Sequence, residues 1–192
     1  IFFSLIVTLI ACEKVEEKVY LAENVVPAEL ITIPDLNLKR ANAGDTLVFV
    51  GTSLDVGFQA SSQYSFRVAS IGGLEESSSL GPTSADTVLR ITIDDLNSRL
   101  ASRGEEYATT PLVFLIESSL ILDAGDGAYE FLYFSTPITV DVTIYGDPRL
   151  DLINSGTEQS LDLGEEDGMY SGLIALQQDV AFTMTNPETG VS

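Results

Sequence analysis

The clearest pattern along the chain is an alternation of apolar and polar side chains with a period of two residues. Three segments show it most cleanly, namely Gln63 to Ala69, Val88 to Ile93 and Ile138 to Tyr145. Because successive side chains of a strand point to opposite faces, each segment is predicted to bury one face. Apolar runs bounded by turn signals predict further strands at 28–33, 46–50, 112–116, 120–122 and 129–134. The unbroken run from Leu47 to Val50 predicts burial of that strand on both faces.

A single helix is predicted from Asp94 to Arg103. Two acids begin it, Leu96 and Leu100 lie four residues apart, and arginines lie near its end. Acids at the start and bases at the end oppose the helix dipole favourably, and Gly104 is predicted to supply a left-handed stop. The polar segment 72–85 is predicted to be a mobile loop.

Six or seven short strands with turns between them predict an all-β fold. We expect an immunoglobulin or fibronectin III-like β-sandwich with one short inserted helix at residues 21–146. In the remainder, 147–192, strands are predicted from Met169 to Leu176 and from Val180 to Thr185. Two strands do not form an independent core, so this segment is either an annex or the start of a second, truncated β domain. We favour the truncated domain.

The N-terminal residues predict a membrane address. Residues 1–11 form an uncharged apolar run of the length of a signal-peptide core, too short to span a bilayer as a helix. The sequence Leu9-Ile10-Ala11-Cys12 then resembles the lipobox of bacterial lipoproteins, in which the cysteine is acylated. Cys12 is therefore the predicted lipidation site, and 12–20 a charged, solvated tether. The alternative is a buried thiol in an apolar strand.

Composition excludes several function classes. The chain carries 9 Lys plus Arg against 29 Asp plus Glu, a formal charge of −20, so nucleic acid is not expected as a partner. It has no histidine and one cysteine. These counts exclude Ser-His-Asp and Cys-His nucleophiles, histidine-ligated metals and an internal disulfide. We therefore expect no enzyme activity, no catalytic residues, no metal and no cofactor.

Three groups of residues are candidates for binding or catalysis. Aromatic rows at Tyr129, Phe131 and Tyr133, and at Tyr64 and Phe66, are able to stack on sugars, but packing in the core is the favoured interpretation. Oxygen ligands from Asp123, Asp126 and Glu130 suit Ca²⁺, yet the turn between them needs no metal. The run Glu165, Glu166 and Asp167 offers carboxylates for glycoside hydrolysis, but solvated surface is favoured because loop neighbours do not hold the required separation.

Taken together, several of these segments resemble a known family. They are Cys12 with its acidic tether, the strand and helix of 91–104 (ITIDDLNSRLASRG), 135–146 (STPITVDVTIYG) and the segment 167–185. This order resembles the SusE/SusF type of Bacteroidetes outer-membrane lipoproteins. The acids after Cys12 resemble the surface-export signal of such lipoproteins, and the alternative is an ordinary polar linker. The resemblance implies a non-catalytic protein at the outer face of the outer membrane.

In that family, an immunoglobulin-like domain spaces carbohydrate-binding sandwiches away from the membrane. By resemblance, the partners are the membrane through Cys12, a polysaccharide such as a starch-like glycan, and an outer-membrane importer complex. The segment 167–185 resembles the opening hairpin of a carbohydrate-binding domain, but no ligand-binding residue is assigned from it. The alternative is a structural or adhesive surface lipoprotein that binds another protein through a sheet edge of its sandwich.

Overall fold

The computed structural model describes residues 20–123, 128–154, 156–164 and 169–191. The described part consists of antiparallel sheets and one α-helix, α1 (Ile93–Leu100). The predicted all-β sandwich with one short helix is confirmed. In chain order, the strands are β1 (Leu30–Thr32), β2 (Thr46–Gly51), β3 (Ser62–Ser70), β4 (Ser78–Ser79), β5 (Val88–Thr92), β6 (Thr109–Asp123), β7 (Ala128–Phe134), β8 (Ile138–Thr143), β9 (Arg149–Asn154), β10 (Thr157–Leu163), β11 (Tyr170–Ser171) and β12 (Phe182–Thr185).

Two sheets face each other in the sandwich. One has the strand order β1-β2-β5, and the other has the order β4-β3-β6-β7, with β8 also paired to β6. Each sheet therefore takes strands that are not all consecutive in the chain. Phe49 of β2 contributes to the core from the first sheet, and its ring centroid lies 6.0 Å from Phe114 and 6.4 Å from Phe66 of the second. Alternation therefore located the inward faces correctly, since Tyr64, Phe66 and Val68 are all buried.

The helix α1 begins where the sequence predicts a start. The hydroxyl of Thr92 accepts a hydrogen bond from the backbone N–H of Asp95 (3.2 Å) and donates one to the carboxylate of Asp95 (2.8 Å). The helix ends at Leu100, three residues before the predicted end, and the next residue, Ala101, keeps right-handed angles (φ −54°). Gly104 does not have a positive φ, so the predicted left-handed stop there is wrong. The guanidinium of Arg103 instead donates to the carbonyl of Glu76 (2.9 Å), which ties the end of this turn to another loop.

Three other predictions about the sandwich need correction. Segments 112–116 and 120–122 are not two strands but parts of one, β6, because Ser118 and Ser119 are buried in it and continue the ladder. The segment 72–85 contains β4 and a buried core residue, Leu80, so it is anchored rather than a purely polar loop. In β2 only Phe49 and Gly51 are buried, and both lie on the same face, so the predicted burial of this strand on both faces is wrong.

The C-terminal residues form a separate four-stranded sheet with the order β11-β10-β9-β12. Sequence reasoning predicted two strands here, yet the described residues contain four. The predicted strand from Met169 to Leu176 is reduced to Tyr170–Ser171, and the one from Val180 to Thr185 to Phe182–Thr185. The hairpin of β9 and β10 was missed, although Gly156, just before β10, has φ +78°.

Candidate functional site

The densest set of polar contacts lies where the chain leaves the sandwich, just after β8. Side chains from four segments meet there: the loop after β1, the helix α1 with the turn behind it, the residues after β8, and the first strand of the C-terminal sheet. We call this set the exit cluster, and its members are Arg40, Asp94, Asn97, Glu106, Tyr107, Tyr145, Asp147 and Arg149.

Asn97 joins the helix to the end of the sandwich. Its amide Nδ2 donates to the carbonyl of Tyr145 (2.8 Å), and its Oδ1 accepts from the backbone N–H of Tyr145 (2.9 Å). Both residues are buried. The amide therefore replaces a neighbouring strand for one residue of buried backbone, which satisfies a donor and an acceptor that would otherwise be unpaired.

The phenol of Tyr145 is also fixed to the helix. It donates to Oδ1 of Asp94 (2.8 Å). Burial of the ring and this hydrogen bond to a carboxylate both disfavour the phenolate, and together they raise the pKa of Tyr145 to about 12. The phenol is therefore protonated, and acts as a hydrogen-bond donor, through the physiological pH range.

Arg40 contacts three parts of the chain. Its guanidinium lies 5.0 Å from the centroid of the Tyr145 ring and donates to the carbonyl of Gly146. Its backbone N–H donates to a carboxylate oxygen of Glu188 (2.9 Å), close to the C-terminus of the chain. Its ion pair with Asp147 is long (3.9 Å) and Asp147 is exposed, so that pair adds little stability. Arg40 thus acts mainly through hydrogen bonds and its ring contact.

Arg149, the first residue of β9, makes the matching connection from the C-terminal sheet. It binds Glu106 (2.8 Å) and Asp151 (3.0 Å) through separate nitrogens, and its guanidinium lies 5.2 Å from the centroid of the Tyr107 ring. Tyr107 in turn donates its hydroxyl proton to the carbonyl of Asp147 (3.0 Å). Burial raises the pKa of Tyr107, with Glu188 adding to the shift.

The backbone of Tyr107 is in the left-handed region, at φ +60°. This backbone conformation costs a residue other than glycine roughly 1–3 kcal/mol, so surrounding contacts must hold the residue in place. Its backbone N–H donates to the carbonyl of Ile144 (2.8 Å), which supplies one such contact. The strain and its compensation indicate that the turn at Tyr107 is fixed by tertiary structure.

The side chains of the exit cluster connect the end of the sandwich to the C-terminal sheet. The cluster consists of amide, phenol, guanidinium and carboxylate groups that bind one another, and two of the nine basic residues of the chain are placed in it. Within the residues that the structure describes, no three or more Asp, Glu, Cys or His side chains gather as metal ligands would.

The two aromatic rows that are candidates for sugar stacking differ in burial. Tyr64 and Phe66 are buried in the core, as the favoured interpretation predicts. Tyr133 packs partly buried against the core, whereas Phe131 is 38% exposed. The side chain of Tyr129 lies outside the described residues.

Several predicted site residues lie outside the described part of the chain. These are Cys12, the acidic run Glu165, Glu166 and Asp167, and Asp126 with the loop around it; the side chains of Asp123 and Glu130 are likewise not described. The backbones of Asp123 and Glu130 lie on β6 and β7, where they pair with Ala128 and Ile121.

Sequence reasoning missed the exit cluster. One signal was available at Asn97, which lies four residues after Ile93 and three before Leu100, on the apolar face of the helix. A polar residue on that face of a helix needs a buried hydrogen-bond partner. The partner itself could not be found, because Tyr145 lies 48 residues away in the sequence.

Comparison with known proteins finds no related protein for this chain. The chain matches no family model, no curated protein and no solved structure. Among residues that the structure describes, no helix is both long and apolar enough to cross a bilayer.

Proposed function

We propose that this chain is a non-catalytic, lipid-anchored protein of the bacterial cell surface. In this proposal, Cys12 carries the lipid, the sandwich is a spacer, and the C-terminal sheet belongs to a second β unit that is held away from the outer membrane for the capture of a polysaccharide. The observation that carries the proposal is that the chain enters and leaves the sandwich at opposite ends.

The entry end is defined by contacts of the residues that follow the tether. The backbone N–H of Ala22 donates to the carbonyl of Val56, and Val26 pairs with Asp55 (each 2.9 Å). The segment from Leu54 to Val56 follows the C-terminal end of β2. The tether therefore reaches the sandwich at the end where β2 finishes.

The exit end is defined by the register of β8. This strand runs antiparallel to β6 from Ile138, opposite Phe114, to Thr143, opposite Thr109. Beyond it, Tyr145 contacts Asn97 of α1, and α1 follows the C-terminal end of β5. Because β5 and β2 are antiparallel, this is the end where β2 begins, opposite the entry.

The separation of the two ends is appreciable. The nine residues of β3 run between them and span about 30 Å at roughly 3.3 Å per residue. A lipid at Cys12 would then place the C-terminal sheet beyond the full length of the sandwich. Only four residues, 145–148, separate Ile144, the last bridged residue after β8, from the first residue of β9, and the exit cluster binds within this connection and at Arg149 beyond it. A short, clamped connection is what a spacer needs, since a flexible linker would let the second unit fold back.

The glycan part of the proposal rests on the resemblance to SusE/SusF-type lipoproteins, and the exposed apolar surface of the C-terminal unit is compatible with it. Large apolar side chains there are at least a third exposed: Ile153, Leu163, Met169, Leu173, Ile174, Leu176, Val180 and Phe182. Apolar surface of this kind, on a unit held at the outer end, is typical of an interaction site.

The anchor is tested by replacing Cys12 with serine and following the full chain through membrane fractionation in a bacterial host. We expect Cys12→Ser to leave the membrane fraction, because Cys12 is the one cysteine of the sequence and its sulfur is needed to form the thioether to diacylglycerol. The matched control is Val15→Ser, which alters the tether and keeps the thiol. Unchanged membrane association of Cys12→Ser, or a mature N-terminus with an unmodified sulfur, would contradict the anchor.

The glycan is tested by native electrophoresis of the full chain in gels that contain starch-like and other polysaccharides. We expect retardation in at least one gel relative to a gel without polysaccharide. Equal mobility in all of them would contradict sugar capture by this chain while leaving the anchor and spacer untouched.

A further inference from the structure

The strand β7 forms an open edge of the second sheet of the sandwich. On one side it pairs with β6 over seven residues, from Glu117 opposite Phe134 to Asp123 opposite Ala128. On its other side, no strand of the described residues pairs with it. This edge lies towards the entry end. The first residues of β6 pair with β8 near the exit end, and β7 pairs with the last residues of β6, at its opposite end.

The register shows which backbone groups point outward from β7. The backbone N–H of Ser135 donates to the carbonyl of Ile116 (2.9 Å), so Ser135 faces β6. In an antiparallel pair, residues alternate between those bonded to the neighbour and those that point away from it. Phe131 and Tyr133 therefore bond to β6, whereas the N–H and C=O groups of Leu132 and Phe134 point to the open side.

The side chains along the edge are apolar on both faces of the sheet. Leu132 is 48% exposed and Phe134 50% exposed on the outer face, and Phe131 is 38% exposed on the inner face. The sequence of β7, AYEFLYF, contains one acid and no base. An exposed and mostly apolar edge of this kind is a template for a further strand.

Other edges in the described sheets carry the usual protection. The strands β4 and β11 have two residues each, β12 has four, and β1 has three with a register shift. The edge strand β5 has the exposed Arg90 at its centre, and β8 follows Pro137 and exposes Asp141. Short length, bulges, prolines and charges all discourage pairing with another chain. β7 differs from these edges in combining seven residues with the exposed apolar side chains of Leu132 and Phe134, and Glu130 is its one charged residue.

Charge indicates what kind of strand fits there. Across β3, β4, β6, β7 and β8, the only basic residue is Arg67, and it is already bound to Glu117 (3.1 Å) and to Ser77. The carboxylate of Glu29 lies beside the end of β7, where it accepts from the N–H of Thr136 (3.0 Å). Acidic surroundings with no unpaired base on this sheet favour a basic partner. They disfavour a second copy of this chain, which carries a formal charge of −20.

We propose that β7 is a docking edge that accepts an extended, basic and apolar segment of another protein as an additional strand, paired to the backbone of Leu132 and Phe134. Main-chain hydrogen bonds would supply affinity, and contacts to the exposed side chains would supply specificity. This proposal does not depend on the lipid at Cys12 or on glycan binding, and so it stands or falls separately from the proposed function.

The test is amide hydrogen exchange of the full chain, followed residue by residue by NMR. The probe is a short capped peptide of alternating Val and Thr with a Lys at each end, and its matched control has Glu in place of each Lys. We expect the Lys peptide to slow exchange at Leu132 and Phe134 by about tenfold or more, since their N–H groups become hydrogen-bonded. Phe131 and Tyr133, already bonded to β6, should change little.

Variants sharpen the result. Leu132→Lys places a charge on the edge and should abolish protection by the Lys peptide, whereas Ile71→Lys, which alters an exposed apolar side chain at the opposite end, should retain it. The proposal is overturned if the Lys peptide gives no protection at Leu132 and Phe134, or if the Glu peptide protects them equally. It is also overturned if protection there appears without peptide as the concentration of the chain is raised, because the edge would then be an interface between copies.

Discussion

The bidentate contact of Asn97 with Tyr145 gives the most direct test of how the sandwich is closed at its exit. Replacing Asn97 with alanine removes a donor and an acceptor at once, and it leaves the N–H and C=O of Tyr145 without partners in a buried position. An unsatisfied buried polar group costs roughly 1–3 kcal/mol. Two such groups would cost about 2–6 kcal/mol if neither reached water.

Two effects reduce that cost. Alanine is a better helix former than asparagine by about 0.5 kcal/mol. Removal of the side chain also opens room beside this buried backbone, where water from the adjoining open pocket can replace part of the lost contact. We therefore expect a loss of about 3 kcal/mol in the free energy of unfolding. With a urea dependence of about 1–3 kcal/mol per molar, the midpoint falls by roughly 1–3 M.

The assay is urea unfolding of the full chain followed by far-ultraviolet circular dichroism. Ser98→Ala is the matched control, because Ser98 is exposed on the same helix and its replacement brings a similar gain in helix propensity. Asn97→Asp is a second variant that keeps the volume and one acceptor but loses the donor to the carbonyl of Tyr145. The reasoning is refuted if Asn97→Ala is no less stable than Ser98→Ala, or if Asn97→Asp matches the wild type.

Two further predictions concern the same cluster. Tyr145 has a pKa of about 12 when folded, against 10.0 for an ordinary tyrosine, so from pH 10 to 12 the unfolded chain releases a proton that the folded chain retains, and stability falls as pH rises. Tyr145→Phe should be less stable at neutral pH, because it loses the hydrogen bond to Asp94. It should also lose less stability than the wild type between pH 10 and 12, because it has no phenol to titrate. If the stability of both proteins fell equally over that range, the raised pKa of Tyr145 would be contradicted. Arg149→Met keeps the aliphatic stem but removes the contacts to Glu106 and Asp151, and it should speed cleavage by proteinase K between β8 and β9 severalfold. Arg90→Met, on the other sheet, is the control, and equal cleavage rates of the two variants would show that Arg149 does not clamp the connection.

The strands of the sandwich were predictable because their signal is local. Alternation at β3, β5 and β8 is set by one buried and one exposed face, and this pattern is carried by neighbouring residues. The start of α1 was predictable for the same reason, since Thr92, Asp94 and Asp95 act within one turn.

The errors lie where distant residues decide the outcome. Arg103, beyond the end of α1, binds the carbonyl of Glu76, and β6 continues through Ser118 and Ser119 because their backbones pair with β3 and β7. Leu80 lies in a segment of polar composition, yet its backbone N–H pairs with the carbonyl of Phe66 and its side chain enters the core. None of these partners is close in sequence, so periodicity within a window of residues does not reveal them.

The sequence by itself determined the fold class, the position of the one helix of the described chain, and the absence of histidine chemistry, because these follow from local periodicity, capping residues and composition. It also supplied the expectation of a lipid at Cys12, which concerns residues outside the described part. The tertiary structure decided that entry and exit lie at opposite ends, that Asn97, Tyr145 and Arg149 meet at the exit, and that β7 is left as an open edge. These features arise from the pairing of strands and side chains far apart in the chain, and a pairing is fixed only when the whole sandwich has closed around its core.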